Sequence, residues 1–150
     1  SLRTNPKVIL KERTNLRYLK PEDLFGDKDP RPNFAVADVS FISLKLVLPA
    51  INELLNNDDN KKEALLLVKP QFEVGRNRVG KGGVVREPND HVMALQSVID
   101  FCCEQGWTPR GLIASPITGP AGNHEYFLWL NTTGTPQIPD LKELVFETLT

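Results

Sequence analysis

Ala64 to Val68 is an unbroken apolar run, the pattern of a strand buried on both faces of a sheet. Lys69 ends it, and Pro70 can donate nothing to a continuing ladder, so the strand is expected over 63–69. Further β-rich runs lie at 7–12, 34–40, 111–116 and 124–131. Between them the apolar period lengthens. Leu44, Val47, Leu48, Ile51, Leu54 and Leu55 share one helical face, Ser43 is placed to cap it, and the helix is expected to reach about Asn56. A second helix is expected from Pro88, a good first-turn residue, to about Gln105, with Gly106 as its stop. A weaker one is expected over 141–149. The polar, proline-rich stretch 12–33 reads as loop with one short helical turn. The "NNDDNKKE" stretch reads as a solvated turn, and 76–85 as a loop.

Helices alternating with hydrophobic strands predict an α/β fold whose sheet is mostly parallel and covered on both sides. The last two strands are joined without room for a helix. Parallel neighbours need a crossover of about a dozen residues, so this pair is expected to be antiparallel. A doubly wound sheet normally opens with a strand, a glycine-rich turn and a helix. Here a strand leads into a proline-rich loop, so the chain reads as the second half of such a fold, with its first strands missing.

Composition narrows the function classes. The chain has 150 residues, enough for one domain with a real core, and a net charge of −1. Any affinity for nucleic acid must then come from a local basic patch. No apolar run approaches the roughly 20 residues that span a bilayer, and the first residues show no secretory leader pattern. Cys102 and Cys103 are adjacent, belong to no C-x-x-C pair, and read as ordinary thiols of a reducing, cytoplasmic compartment.

In open α/β sheets ligands sit outside the carboxyl ends of the parallel strands. Asp38 lies near the end of one strand and Lys69 at the end of another. Glu125 lies at the start of a strand expected to run the opposite way. Strand direction therefore brings all three to one crevice. Each charge alone reads as well as a point where the chain meets water; together they suit acid–base work, with the lysine as a base or as the group that orients a hydroxyl. Gly75 to Lys81 fits the G-x-x-x-x-G-K phosphate loop, but Gly82 stands where a hydroxyl should hold magnesium, and no helix follows directly. Arg76, Arg78, Lys81 and Arg86 suit phosphate contacts along a nucleic-acid backbone better, the alternative being a solvated loop with an accidental charge excess. His91 and His124 are too few and too far apart for a standard metal site, so none is expected. Phe41, Phe72, Trp107, Phe127 and Trp129 read as core or lid packing, Phe72 being nearest to Lys69 in sequence.

"ERTNLRYL", "ADVSFISLKLVLPA", "LVKPQFEVGRNRVGKGGVVRE" and "SPITGPAGNHEYFLWL" together resemble the TlyA-type, hemolysin A-like family of FtsJ-related RNA methyltransferases, from about Lys7 to Leu130. The resemblance implies a Rossmann-like fold in which S-adenosylmethionine methylates ribose 2′-hydroxyls of ribosomal RNA. It implies that residues 1–150 form the C-terminal portion of a single methyltransferase domain. The related enzymes use a Lys-Asp-Lys-Glu tetrad, of which Asp38, Lys69 and Glu125 match three members. By the same resemblance Thr14, Asn15 and Asp38 are expected at the cofactor. The family's first tetrad lysine, its glycine-rich cofactor loop and its S4-like RNA-binding domain have no match here. The chain alone is therefore expected to bind cofactor weakly or not at all, and to be inactive by itself. Ribosomal RNA or a ribosomal subunit is the expected partner, with a homodimer through exposed sheet surface as a further expectation. The competing reading is a non-catalytic RNA-binding module. A hemolysin acting on membranes would need an apolar or amphipathic segment that the sequence does not show.

Overall fold

The computed structural model describes residues 2–55 and 61–150. Asn56 and most of the predicted solvated turn lie outside the described residues. The strands are β1 (Phe34–Ala37), β2 (Glu63–Val68), β3 (Thr108–Ala114) and β4 (Tyr126–Asn131), in the order β1-β2-β4-β3. β1 and β2 are parallel, and β4 is antiparallel to both its neighbours. Three strands therefore run one way and β4 runs against them, and the last two strands pair as the short connection between them requires.

The helices form where their ends are marked. α1 (Leu44–Leu54) starts at Ser43, whose Oγ accepts from the Lys45 N–H. A single turn, α2 (Pro70–Glu73), follows β2 directly. α3 (Pro88–Glu104) starts at the predicted proline and ends where Gly106 takes φ +85°, while the N–H groups of Gly106 and Trp107 close onto Cys103 and Cys102 carbonyls. α4 (Leu141–Leu149) is capped by Asp140, which accepts from two N–H groups of the first turn.

Alternate strand residues build the core. Ala64, Leu66 and Val68 of β2 and Tyr126, Leu128 and Leu130 of β4 are fully buried against α1, α3 and α4. The opposite face is open: Val36 is 69% exposed and Ile113 62%, with Trp129 beside them. The expectation of a sheet covered on both sides is thus corrected. Both crossovers, β1-α1-β2 and β2-α3-β3, step across the sheet in the same direction, and crossovers of one hand then place both helices on one face. The continuous apolar run in β2 is likewise half-open, with Leu65 and Leu67 only partly covered.

The strand expected at 7–12 does not form, and Ile9 and Leu10 are exposed. Among the described residues no strand pairs with the outer edge of β1, and an extended segment without a ladder partner gains nothing from strand geometry. The loop 12–33 holds two short 3-10 turns, Leu16–Tyr18 and Pro21–Asp23, where one was expected.

Candidate active site

Strand direction gathers the three charges at one sheet edge. Asp38 follows the end of β1 and Lys69 the end of β2; Glu125 precedes β4, whose first residue, Tyr126, pairs with Val68. The Lys69 Nζ lies 2.7 Å from Asp38 Oδ1 and donates to Ser40 Oγ at 3.1 Å. The Lys69 side chain is nearly enclosed, whereas that of Asp38 is 66% exposed, so the pair has a wet side and a dry side. Glu125 is buried and, among the described residues, forms no ion pair; its Oε1 accepts from Gln71 Nε2 at 3.2 Å. Gly119 backs this carboxylate so closely that a Cβ there would stand 2.8 Å from Oε1.

Two cavities meet at these residues, and both are bordered by Lys69, Glu125, Ser40 and Gly119. One, of about 830 Å³, spreads over the open sheet face past Asp38, Val36, Leu65 and Leu67 to the turn 115–120. The other, of about 400 Å³, is walled by Phe41 and Phe72 on one side and by Gly82, Gly83 and Asn123 on the other. Phe41 is 91% exposed, which removes it from the core and leaves the lid half of its expected place. Its backbone is left-handed at φ +62°, rare for a bulky residue, and its ring lies 5.1 Å from that of Phe72. Of the other aromatics, Trp107 is buried while Trp129 faces the open side.

The basic loop is sewn down at its root. Asn123, itself buried, accepts from the Val85 N–H and donates to the Gly83 carbonyl, so one side chain imitates a strand partner. His91, with no exposed surface, uses Nε2 toward the Val85 carbonyl and accepts at Nδ1 from the Tyr126 hydroxyl. Burial pulls the His91 pKa down, which suits this neutral ring. The four predicted RNA contacts then divide. Arg78 is tied to the buried Asp90 carboxylate and helps fix the loop. Arg86 is exposed, its guanidinium donating to the Lys81 carbonyl, and the Arg76 and Lys81 side chains face solvent.

Thr14 and Asn15 border a different, polar pocket that shares no residue with the Asp38 cleft. Thr14 donates to the Glu12 carbonyl, and Asn15 caps the 3-10 turn at Leu16. Sequence reasoning also missed Glu73, which accepts from Ser43 Oγ at 2.6 Å and from the Leu44 N–H at 2.8 Å, and whose pKa burial raises. Its place in "KPQFE" marks it as near Lys69, but only the fold shows what it meets. Burial pushes the Cys102 thiol up to about 12, which makes it unreactive. Among the described residues no helix is long and apolar enough to cross a membrane.

The profile of the FtsJ-like methyltransferase family matches residues 1–132. The chain is 48% identical over 132 residues to the 16S/23S rRNA (cytidine-2′-O)-methyltransferase TlyA of Mycobacterium tuberculosis, covering 88% of this chain and 47% of that protein. It is 40% identical over 130 residues to the 23S rRNA (cytidine-2′-O)-methyltransferase TlyA of Campylobacter jejuni, covering 86% of this chain and 47% of that one. The chain thus spans about half the length of these curated relatives. A crystal structure of a hemolysin-named protein from Lactococcus lactis superposes with a TM-score of 0.85 at 35% identity, covering 99% of this chain and 69% of that one.

Proposed function

As the chain belongs to the FtsJ-like methyltransferase family, we propose that it carries the methyl-acceptor side of a ribosomal RNA ribose 2′-O-methyltransferase. The observation that carries this reading is the position of Lys69 and Glu125 at the junction of two cavities, which on this reading take the methyl donor and the target nucleoside. Members of this family generally depend on S-adenosylmethionine, which when bound supplies an electrophilic methyl group on a sulfonium. The cleft beside Asp38 fits the sulfonium end of that molecule. At about 830 Å³ it falls in the usual range for a small-molecule site, and its rim bears the carboxylates of Asp38 and Glu125. Thr14 and Asn15 stay expected adenine contacts by resemblance; their side chains are engaged locally and do not border this cleft.

The residues divide the work. Lys69 Nζ, held by Asp38 and Ser40, orients the ribose 2′-hydroxyl. Lys69 donates from its ammonium to the 2′-oxygen, and the hydroxyl proton leaves through the exposed Asp38 carboxylate to water as the oxygen would take the methyl group. Glu125, fixed by Gln71, adds negative charge at the same junction. Alignment of the reacting atoms supplies much of the acceleration. Phe41 and Phe72 present ring surface to the target base, and Arg76, Lys81 and Arg86 meet phosphates along the RNA backbone. The reading places the protein in the cytoplasm, with ribosomal RNA as partner and a second copy of the chain against the open sheet face. Its test is Lys69→Ala in the intact protein. Loss of methyl transfer to rRNA with an unchanged melting temperature is expected; full retention would defeat the reading and leave the non-catalytic RNA-binding module.

A further inference from the structure

Two separate segments wall the candidate site. The loop 38–43 carries Asp38, Ser40 and Phe41, and the segment 69–73 carries Lys69, Gln71 and Phe72. At the site they meet through Lys69 with Asp38 and Ser40 and through the Phe41–Phe72 ring contact. None of these contacts is a durable anchor. Asp38 is largely in water, Phe41 is almost fully exposed, and Lys69 is the group that must be free to exchange partners when substrate arrives.

The durable link lies just behind. Glu73, partly buried, places one carboxylate oxygen on the Ser43 hydroxyl and the other on the Leu44 N–H. The helix start does not need it for capping alone, since Ser43 Oγ already accepts from the Lys45 N–H. Glu73 instead draws the positive end of α1, and with it the loop 38–43, onto the turn that follows Lys69. A left-handed phenylalanine two residues before Ser43 survives only where its surroundings over-determine it, and this clasp supplies the determination.

We infer that Glu73 is a positioning residue: by clasping Ser43 and Leu44 it sets the spacing between Lys69 and Asp38 and the Phe41–Phe72 wall. The catalytic part of this inference rests on the methyl-transfer reading; the geometric part does not. Two readouts keep the two apart. The first is NMR of this chain without substrate, following the Lys69 ammonium signal in ¹⁵N-lysine-labelled protein and the cross-relaxation between the Phe41 and Phe72 rings. The second is steady-state methyl transfer by the intact protein from S-adenosylmethionine to rRNA. Glu73→Gln, whose amide accepts at one oxygen only, is expected to melt close to the parent. It is expected to lose both NMR signatures and about 10- to 100-fold in kcat, with KM for rRNA within roughly threefold. Unchanged NMR signatures in a folded Glu73→Gln protein would overturn the inference and leave Glu73 as a helix cap. If Glu73→Gln does not fold, Ser43→Ala leaves the Leu44 N–H on Glu73 and decides the matter on the same signals. If the unsubstituted protein methylates no rRNA, the functional reading fails while the NMR result still settles the clasp.

Discussion

At the residue scale the most exposed anomaly is Phe41. Left-handed backbone at a residue with a Cβ costs roughly 1–2 kcal/mol, and an almost fully exposed ring recovers little of it by packing. Phe41→Gly removes the strain but adds unfolded-state entropy. It is expected to raise stability by up to about 1 kcal/mol in chemical denaturation while weakening rRNA use by the intact protein. A variant both less stable and fully active would show the ring to be structural. Two buried groups make stability depend on pH in opposite senses. The folded His91 pKa is lowered from 6.5, so the unfolded chain binds the extra proton first, and stability falls as pH drops below about 6.5. The folded Glu73 pKa is raised from 4.5, so the folded chain holds the proton longer, and stability falls as pH climbs from about 4.5 toward that raised value. Melting curves across this range should lose the acid-side slope in His91→Gln and the opposite slope in Glu73→Gln. Asp38, Lys69 and Glu125 were legible in the sequence because strand direction alone decides which end of the sheet a terminal residue occupies. Phe41, Gln71 and Glu73 were not, because their roles depend on contacts between segments 30 to 54 residues apart.

At the element scale, helices were read closely because caps and stops are local chemistry: Ser43, Pro88 and Gly106 act within a turn of themselves. Strands were read less well, since a strand exists only with a neighbour, and 7–12 has the composition of one without the ladder. The basic loop was expected to offer four charges alike to phosphates, or to be a solvated loop. Its root is instead bonded through Asn123, His91 and the Arg78–Asp90 pair, and its charges fall into two kinds. Arg78→Ala leaves a buried carboxylate without its partner and is expected to cost about 1–3 kcal/mol in denaturant unfolding. Lys81→Ala is expected to leave stability within about 0.5 kcal/mol and to lower the salt dependence of RNA binding by about one phosphate contact. A reversal of these two profiles would mean that the loop meets RNA through the other charge.

At the scale of the whole molecule the sheet has one finished side. Val36, Ile113 and Trp129 face outward beside the half-covered Leu65, Leu67 and Phe127, a continuous apolar patch of the kind that marks an interface. Sedimentation equilibrium of this chain is expected to show association that grows with concentration, and Val36→Lys with Ile113→Lys to abolish it without lowering the melting temperature at high dilution. A strictly monomeric parent would place some other occupant on the face. The one-sided sheet also has a calorimetric signature. Unfolding a typical domain raises heat capacity by roughly 12–15 cal/mol/K per residue, chiefly because hidden apolar surface becomes wet. Here part of that surface is wet before unfolding begins. The dilute chain should therefore show a smaller increment and a flatter curve of stability against temperature, and whatever covers the face should restore the missing heat capacity.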